Sequence, residues 1–234
     1  MGEKTTFKRP DSKQSSGYYV GPDAGESAPG VAVIQEWWGV NDQIKHVAER
    51  LAGADYRVLV PDLYKGKVTV EEAEAEHLMG KLDFADAATQ DVRGAVQYLK
   101  ENSPKVAVLG FCMGGALTIL SAVHTREADA AICWYGVPPE DAVDASAIKL
   151  PLQGHFAKDD EFFPPEQVQA LEKRLKEANV SYEFYWYDAK HAFGNETLGG
   201  DNPHVEKLAD HYEPEAAHLA WQRTLDFLAK NIGA

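Results

Sequence analysis

The segment Gly110-Phe111-Cys112-Met113-Gly114 constrains this chain more than any other. It follows the apolar run Val106-Ala107-Val108-Leu109 and leads into the helix-forming run Gly115-Ala116-Leu117-Thr118-Ile119-Leu120. A strand, a sharp turn and a helix in such close succession form a nucleophile elbow, with cysteine in place of the commoner serine. Glycine on either side leaves room for a tight, strained turn that side chains would block. A helix starting at Met113 aims its first N–H groups at any oxyanion formed beside Cys112, and its dipole favours a thiolate there. The same pattern also fits a glycine-rich turn around an inert, buried cysteine, so the rest of the chain has to decide.

Short apolar runs at residues 17–20, 31–35, 57–61, 106–111, 130–135, 150–155 and 182–187 predict strands. Amphipathic stretches at residues 43–54, 70–79, 84–100, 113–123, 165–178 and 214–230 predict helices between them. The near-continuous apolarity of residues 31–34 and 106–109 is what strands buried on both faces require. This alternation predicts an α/β architecture, a mostly parallel, doubly wound sheet with helices on both faces and right-handed crossovers. With no internal repeat, low-complexity tract or linker, the 234 residues read as one domain, 1–234.

A formal net charge of −14 argues against nucleic acid or an anionic membrane surface as a partner. No apolar run approaches the roughly 18 residues of a membrane span. The polar start of the chain shows no apolar h-region, so no secretory signal is expected. Cys112 and Cys133 both follow strand-like runs and suggest no disulfide framework, so the expected location is the cytoplasm.

In doubly wound sheets the chemistry collects at the carboxyl ends of strands. Four reactive groups stand there: Cys112, Glu36 before Trp37-Trp38-Gly39, the cluster Asp159-Asp160-Glu161, and His191. Nucleophile, acid and histidine follow in the chain order of an α/β-hydrolase. Spacing alone does not separate Asp159, Asp160 and Glu161, and the cluster lacks the alternating ligands of a calcium loop, so no metal is expected. Among eight histidines, His46, His77, His124 and His218 fall in helical patterns, and His155 precedes the acid where the fold wants the base to follow. His204 and His211 fall in a polar stretch, 195–213, that reads as a long surface loop. His191 is the base candidate, because Ala192 and Gly194 let its loop bend back over the sheet. Trp37 and Trp38 beside the thiol would wall an apolar pocket, and Cys133 reads as a buried small hydrophobe.

Taken together, these residues resemble the dienelactone hydrolase family, the carboxymethylenebutenolidase-like cysteine members of the α/β-hydrolase fold. The matching motifs are Gln35-Glu36-Trp37-Trp38-Gly39-Val40-Asn41, Pro61-Asp62-Leu63-Tyr64, Gly110-Phe111-Cys112-Met113-Gly114-Gly115, Asp160-Glu161-Phe162-Phe163-Pro164 and His191-Ala192-Phe193. The resemblance implies a triad of Cys112, His191 and Asp160, with Glu36 partnering the resting thiol and taking part in thiolate formation. It implies an oxyanion hole from the backbone N–H groups of Trp37 and Met113, and substrate contacts from Trp38, Tyr64, Phe111, Phe193 and Asn195. Archetypal members clamp a substrate carboxylate with arginines; here Gly194-Asn195-Glu196 and Lys65-Gly66-Lys67 stand in those places.

The expectation is therefore a carboxylic ester hydrolase acting on neutral lactones or small esters through a thioester on Cys112. Aryl and organophosphate esters are expected as side substrates. No cofactor is expected, and the protein is expected to be a monomer or homodimer. Two readings from other classes remain: a thiol redox sensor using Cys112, and a non-catalytic ligand-binding member of the fold.

Overall fold

The computed structural model describes residues 2–21, 27–198, 208 and 210–233. Its frame is an eight-stranded sheet: β1 (Glu3–Lys8), β2 (Gln14–Val20), β3 (Gly30–Ile34), β4 (Arg57–Pro61), β5 (Val106–Phe111), β6 (Ala130–Trp134), β7 (Leu152–Asp159) and β8 (Tyr182–Lys190). The spatial order is β1-β2-β4-β3-β5-β6-β7-β8. The β1–β2 and β2–β4 pairs are antiparallel, and every pair from β4 across to β8 is parallel. Every residue of β3, β4, β5 and β6 is buried, because helices cover both faces of these strands.

One face is covered by α1 (Asp42–Ala52), through Ile44, Val47, Ala48 and Leu51, and by α7 (Pro214–Asn231), through Ala220, Trp221, Phe227 and Leu228. Leu78 of α2 (Glu72–Gly80), Leu99 of α4 (Arg93–Lys100), Leu117 of α5 (Met113–His124) and Leu171 of α6 (Pro165–Glu177) belong to the core on the opposite face. The doubly wound expectation thus holds for the sheet.

Three local features depart from the sequence reading. The edge strand β1 was not anticipated, since only Phe7 among its six residues is buried. The helix expected over 84–100 is broken into α3 (Phe84–Asp86), a π-helical turn at Ala87–Val92, and α4. The cause lies in the β1–β2 turn, where the nearly buried Arg9 bonds Asp86 at 2.7 Å and Asp91 at 3.3 Å. Five residues is close to one π turn, so the widened helix returns both aspartates to the side facing Arg9. Finally, β7 and β8 overrun their expected ends, to Asp159 and Lys190, with a register irregularity between Ala157 and Asp159.

Candidate active site

Cys112 joins β5 to α5 with φ 54° and ψ −119°. A non-glycine residue in such a conformation costs roughly 1–3 kcal/mol and persists only where neighbours over-determine it. Here the Cys112 N–H donates to the Trp134 carbonyl at 3.0 Å, and the Ala116 N–H donates to the Cys112 carbonyl at 3.1 Å. A Cβ on Gly114 would lie 2.5 Å from the Ile34 and Gln35 carbonyl oxygens, and one on Gly110 would overlap the Gly114 carbonyl. Side chains there would push the elbow off the sheet, which is why glycine flanks it. The Met113 N–H is the first of α5, one of the donors a helix leaves without an internal partner.

The overrun of β7 and β8 aligns the other two groups. Asp159 pairs with Lys190, so the next residues, Asp160 and His191, leave the sheet side by side. His191 Nδ1 lies 2.9 Å from Asp160 Oδ2, and His191 Nε2 lies 3.1 Å from Cys112 Sγ. Asp160 Oδ1 accepts the Phe162 and Phe163 N–H groups, each at 2.9 Å. Facing a carboxylate, Nδ1 carries a hydrogen and donates it. Asp160 and His191 are buried, whereas Asp159 and Glu161 are exposed, so one member of the acidic cluster turns inward. Burial opposes the charged imidazole, but the Cys112 thiolate and the Asp160 carboxylate outweigh it and raise His191 from 6.5 to about 10.

Glu36 is buried beside them. Its Oε1 accepts the Tyr135 hydroxyl at 3.1 Å and its Oε2 accepts the Asn195 amide at 2.7 Å. Desolvation raises its carboxyl above the usual range, while the His191 charge and the Asn195 and Tyr135 hydrogen bonds pull it down. Tyr135, one residue beyond β6, was not singled out from the sequence, although the strand-exit rule that found the others applies to it. Its ring also stands edge-on to His191, with centroids 5.4 Å apart.

A cavity of about 160 Å³ opens on these groups, lined by Glu36, Trp37, Trp38, Cys112, His191 and Ala192 together with Met79, Phe162, Phe163 and Leu208. Trp38 thus reaches the cavity, as do Phe162 and Phe163, whose rings lie 4.8 and 5.5 Å from the His191 ring. Phe111 and Phe193 lie elsewhere, fully buried against Trp134 and Tyr135. Tyr64 is buried with its hydroxyl 3.4 Å from Met113 Sδ. Asn195 holds Glu36 and accepts the Thr197 hydroxyl at 2.6 Å. The stretch read as a surface loop contributes Leu208 to the cavity wall, and His211 Nδ1 donates to the His191 carbonyl at 2.8 Å. Residues 199–207 and 209 of that stretch, His204 included, lie outside the described residues.

His155 is buried in a separate network. Gln153 donates its amide to the Arg223 carbonyl, which turns its Oε1 toward His155 Nε2 at 2.9 Å. Nε2 therefore carries the hydrogen, and Nδ1 accepts the Tyr187 hydroxyl at 2.8 Å. Burial, helped by the Arg223 charge, lowers this imidazole to about 3. Cys133 is also fully buried, its thiol donating to the Gly136 carbonyl and desolvation pushing it up to about 12. Among the described residues no group of three or more His, Cys, Asp or Glu side chains is arranged to hold a metal ion.

Comparison with known proteins places the chain in a family. Residues 16–232 match the model of the dienelactone hydrolase family. The chain is 33% identical to protein usf of Aquifex pyrophilus over 99% of this chain and 100% of that one. It is 29% identical to carboxymethylenebutenolidase 1 of Cupriavidus pinatubonensis over 91% of each. A candidate dienelactone hydrolase from Klebsiella pneumoniae superposes with a TM-score of 0.83 at 25% identity, over 98% of this chain and 99% of that one. A dienelactone hydrolase-like promiscuous phosphotriesterase from metagenomic libraries shares the fold at a TM-score of 0.81 and 22% identity, over 99% of each chain. With its elbow cysteine in contact with His191 and nearly its whole length matched, the chain belongs to the dienelactone hydrolase family.

Proposed function

We propose that the protein hydrolyses carboxylic esters or lactones through a thioester on Cys112. The observation that carries this reading is the unbroken contact chain Cys112 Sγ–His191 Nε2–His191 Nδ1–Asp160 Oδ2, with its sulfur on a cavity wall. With the thiol proton held on His191, Sγ attacks the ester carbonyl, forming a C–S bond. The tetrahedral oxyanion accepts hydrogen bonds from the Met113 and Trp37 N–H groups, at the elbow and on the cavity wall. His191 returns its proton to the departing alcohol, and Asp160 steadies the imidazolium and its tautomer throughout. Water, deprotonated by His191, then attacks the thioester; the C–S bond breaks, the acid leaves and the thiol is restored.

Glu36 acts as a positioning residue for this chemistry, a buried carboxylate that sets the field at the thiol. The same nucleophile and oxyanion donors suit activated aryl esters and, as a side activity, organophosphate triesters, the class named for one structural relative. Acid quenching during turnover of an activated aryl ester tests the reading. A mass increment of one acyl group on the Cys112 peptide is expected, absent in Cys112→Ala. Undiminished turnover by Cys112→Ala would overturn it, and peroxide-sensitive thiol chemistry without ester turnover would favour a redox role instead.

A further inference from the structure

The cavity at the thiol has a larger neighbour. A second cavity of about 500 Å³ lies between α5, α6 and the loop after β6. Met79, Phe162 and Phe163 line both spaces and form the wall between them. Met113, whose N–H stands at the elbow, also lines the larger cavity. The rest of the larger lining is mainly apolar, including Val137, Pro138, Val143, Ala170 and Leu171. Arg174, its one cation among the described residues, already donates to the carbonyls of Glu140 and Val143, so its guanidinium is engaged by the backbone.

The common wall has a telling composition. Phe162 is 48% exposed, which is unusual for a large aromatic side chain that also touches reacting groups. It meets Trp37 edge-on at 6.3 Å and His191 at 4.8 Å. Methionine is the most pliable apolar side chain, and Met79 is the third member of the wall. A rigid, sealed core would not combine an exposed phenyl ring, a flexible thioether and empty space on both sides.

We propose that the larger cavity binds an apolar arm of an extended ester, which passes Met79, Phe162 and Phe163 while its carbonyl lies at Cys112. The proposal rests on Cys112 as the attacking thiol and sets the substrate class: esters with an alkyl or aryl arm that outgrows the smaller cavity. Burying each further methylene of such an arm favours binding by about fourfold.

Two chain-length series test it, p-nitrophenyl esters from acetate to decanoate and acetates of alcohols of increasing length, so that the arm is sought on both sides of the ester. In one series kcat/KM rises roughly fourfold per methylene before levelling off. Ala170→Trp fills the larger cavity and collapses the decanoate-to-acetate ratio, with Ala170→Leu intermediate. A flat or falling profile in both series, or a ratio that Ala170→Trp leaves alone, overturns the proposal. A readout without turnover separates it from the hydrolase reading: alkylation of Cys112 by iodoacetamide and its N-alkyl homologues, each rate divided by that of glutathione. If no ester is hydrolysed but longer homologues label Cys112 faster, and Ala170→Trp removes that advantage, the hydrolase reading fails and the cavity stands. Labelling indifferent to chain length removes the cavity's role instead.

Discussion

Asn195 is tied to Glu36: its amide donates to Glu36 Oε2 at 2.7 Å, joining the loop after His191 to the exit of β3. That loop is where an arginine for a substrate carboxylate was sought, and it carries an amide directed at a protein carboxylate instead. Glu36 therefore remains a buried acid in the same cavity as Cys112. Glu36→Gln removes a negative charge from a poorly solvated site, which makes a thiolate at Cys112 easier to form. Peroxide inactivation of the free protein is expected to accelerate several-fold while ester turnover falls. Unchanged inactivation kinetics would mean that Glu36 has no influence on the sulfur.

Replacing Asp160 by asparagine creates a conflict that geometry cannot relieve. One carboxylate oxygen accepts from His191 and the other from two backbone N–H groups. An amide offers one acceptor, so its NH₂ must face a donor on one side or the other. Asp160→Asn is expected to lower kcat on the order of 10³- to 10⁴-fold. The exposed Asp159→Asn should stay within a few-fold of wild type. Equal losses in the two variants would reject Asp160 as the orienting acid.

His191 owes its raised pKa partly to Cys112, after the opposing effect of burial. Cys112→Ala should therefore lower it, observable as imidazole chemical shifts titrating at lower pH than in wild type. The linkage follows in sign. A folded value near 10 against 6.5 unfolded means the native state holds the extra proton between them. This stabilisation is complete below pH 6.5 and lost as pH rises toward 10. An identical His191 titration in both proteins would mean that the thiolate does not charge the imidazole.

Among the described residues the cavity at the thiol is lined by neither lysine nor arginine, and Lys65 lines a separate cavity with Lys4 and Lys45. A charge-assisted hydrogen bond contributes about 1.5–3 kcal/mol, so a carboxylated lactone lacks a 10- to 100-fold advantage it would gain from a clamp. The neutral lactone should show the higher kcat/KM at both low and high salt. An anion preference that salt weakens would reveal a cation reaching the site.

His155 should make the fold acid-sensitive. It is neutral inside, with a value near 3 against 6.5 when unfolded, so the unfolded chain takes up the extra proton as pH falls below 6.5. At pH 5 this costs about 2 kcal/mol of stability. A His155→Gln variant should show a flatter dependence of Tm between pH 7 and pH 5, even if its Tm is lower throughout. An unaltered slope would place the acid sensitivity elsewhere.

The exits of β3 and β5 were legible because double-sided burial leaves unmistakable apolar runs, and Glu36 and Cys112 stand just past them, while His191 follows the half-buried aromatic strand β8. Asp160 was harder to separate from Asp159, since the choice depends on how far β7 and β8 run and on the irregularity at Ala157 and Asp159. The strand β1 was hidden by its exposure, and the π turn by its dependence on Arg9, more than seventy residues earlier in the chain. Phe111 and Phe193 sit in conspicuous motifs, yet they lie in the aromatic layer against Trp134. Met79 carries no local signature, and the motif that contains Phe162 gives no sign of the wall it forms, because a cavity is made by distant segments meeting.

The divided carboxylate of Asp160 has one more consequence. Its Oδ2 sets the imidazole, and its Oδ1 holds the backbone that carries Phe162 and Phe163. Any outward swing of those two rings pulls on the acid that aims His191, so the doorway and the trigger share one hinge pin. One carboxyl group thus sets both the tilt of the imidazole and the place of the aromatic wall beside it.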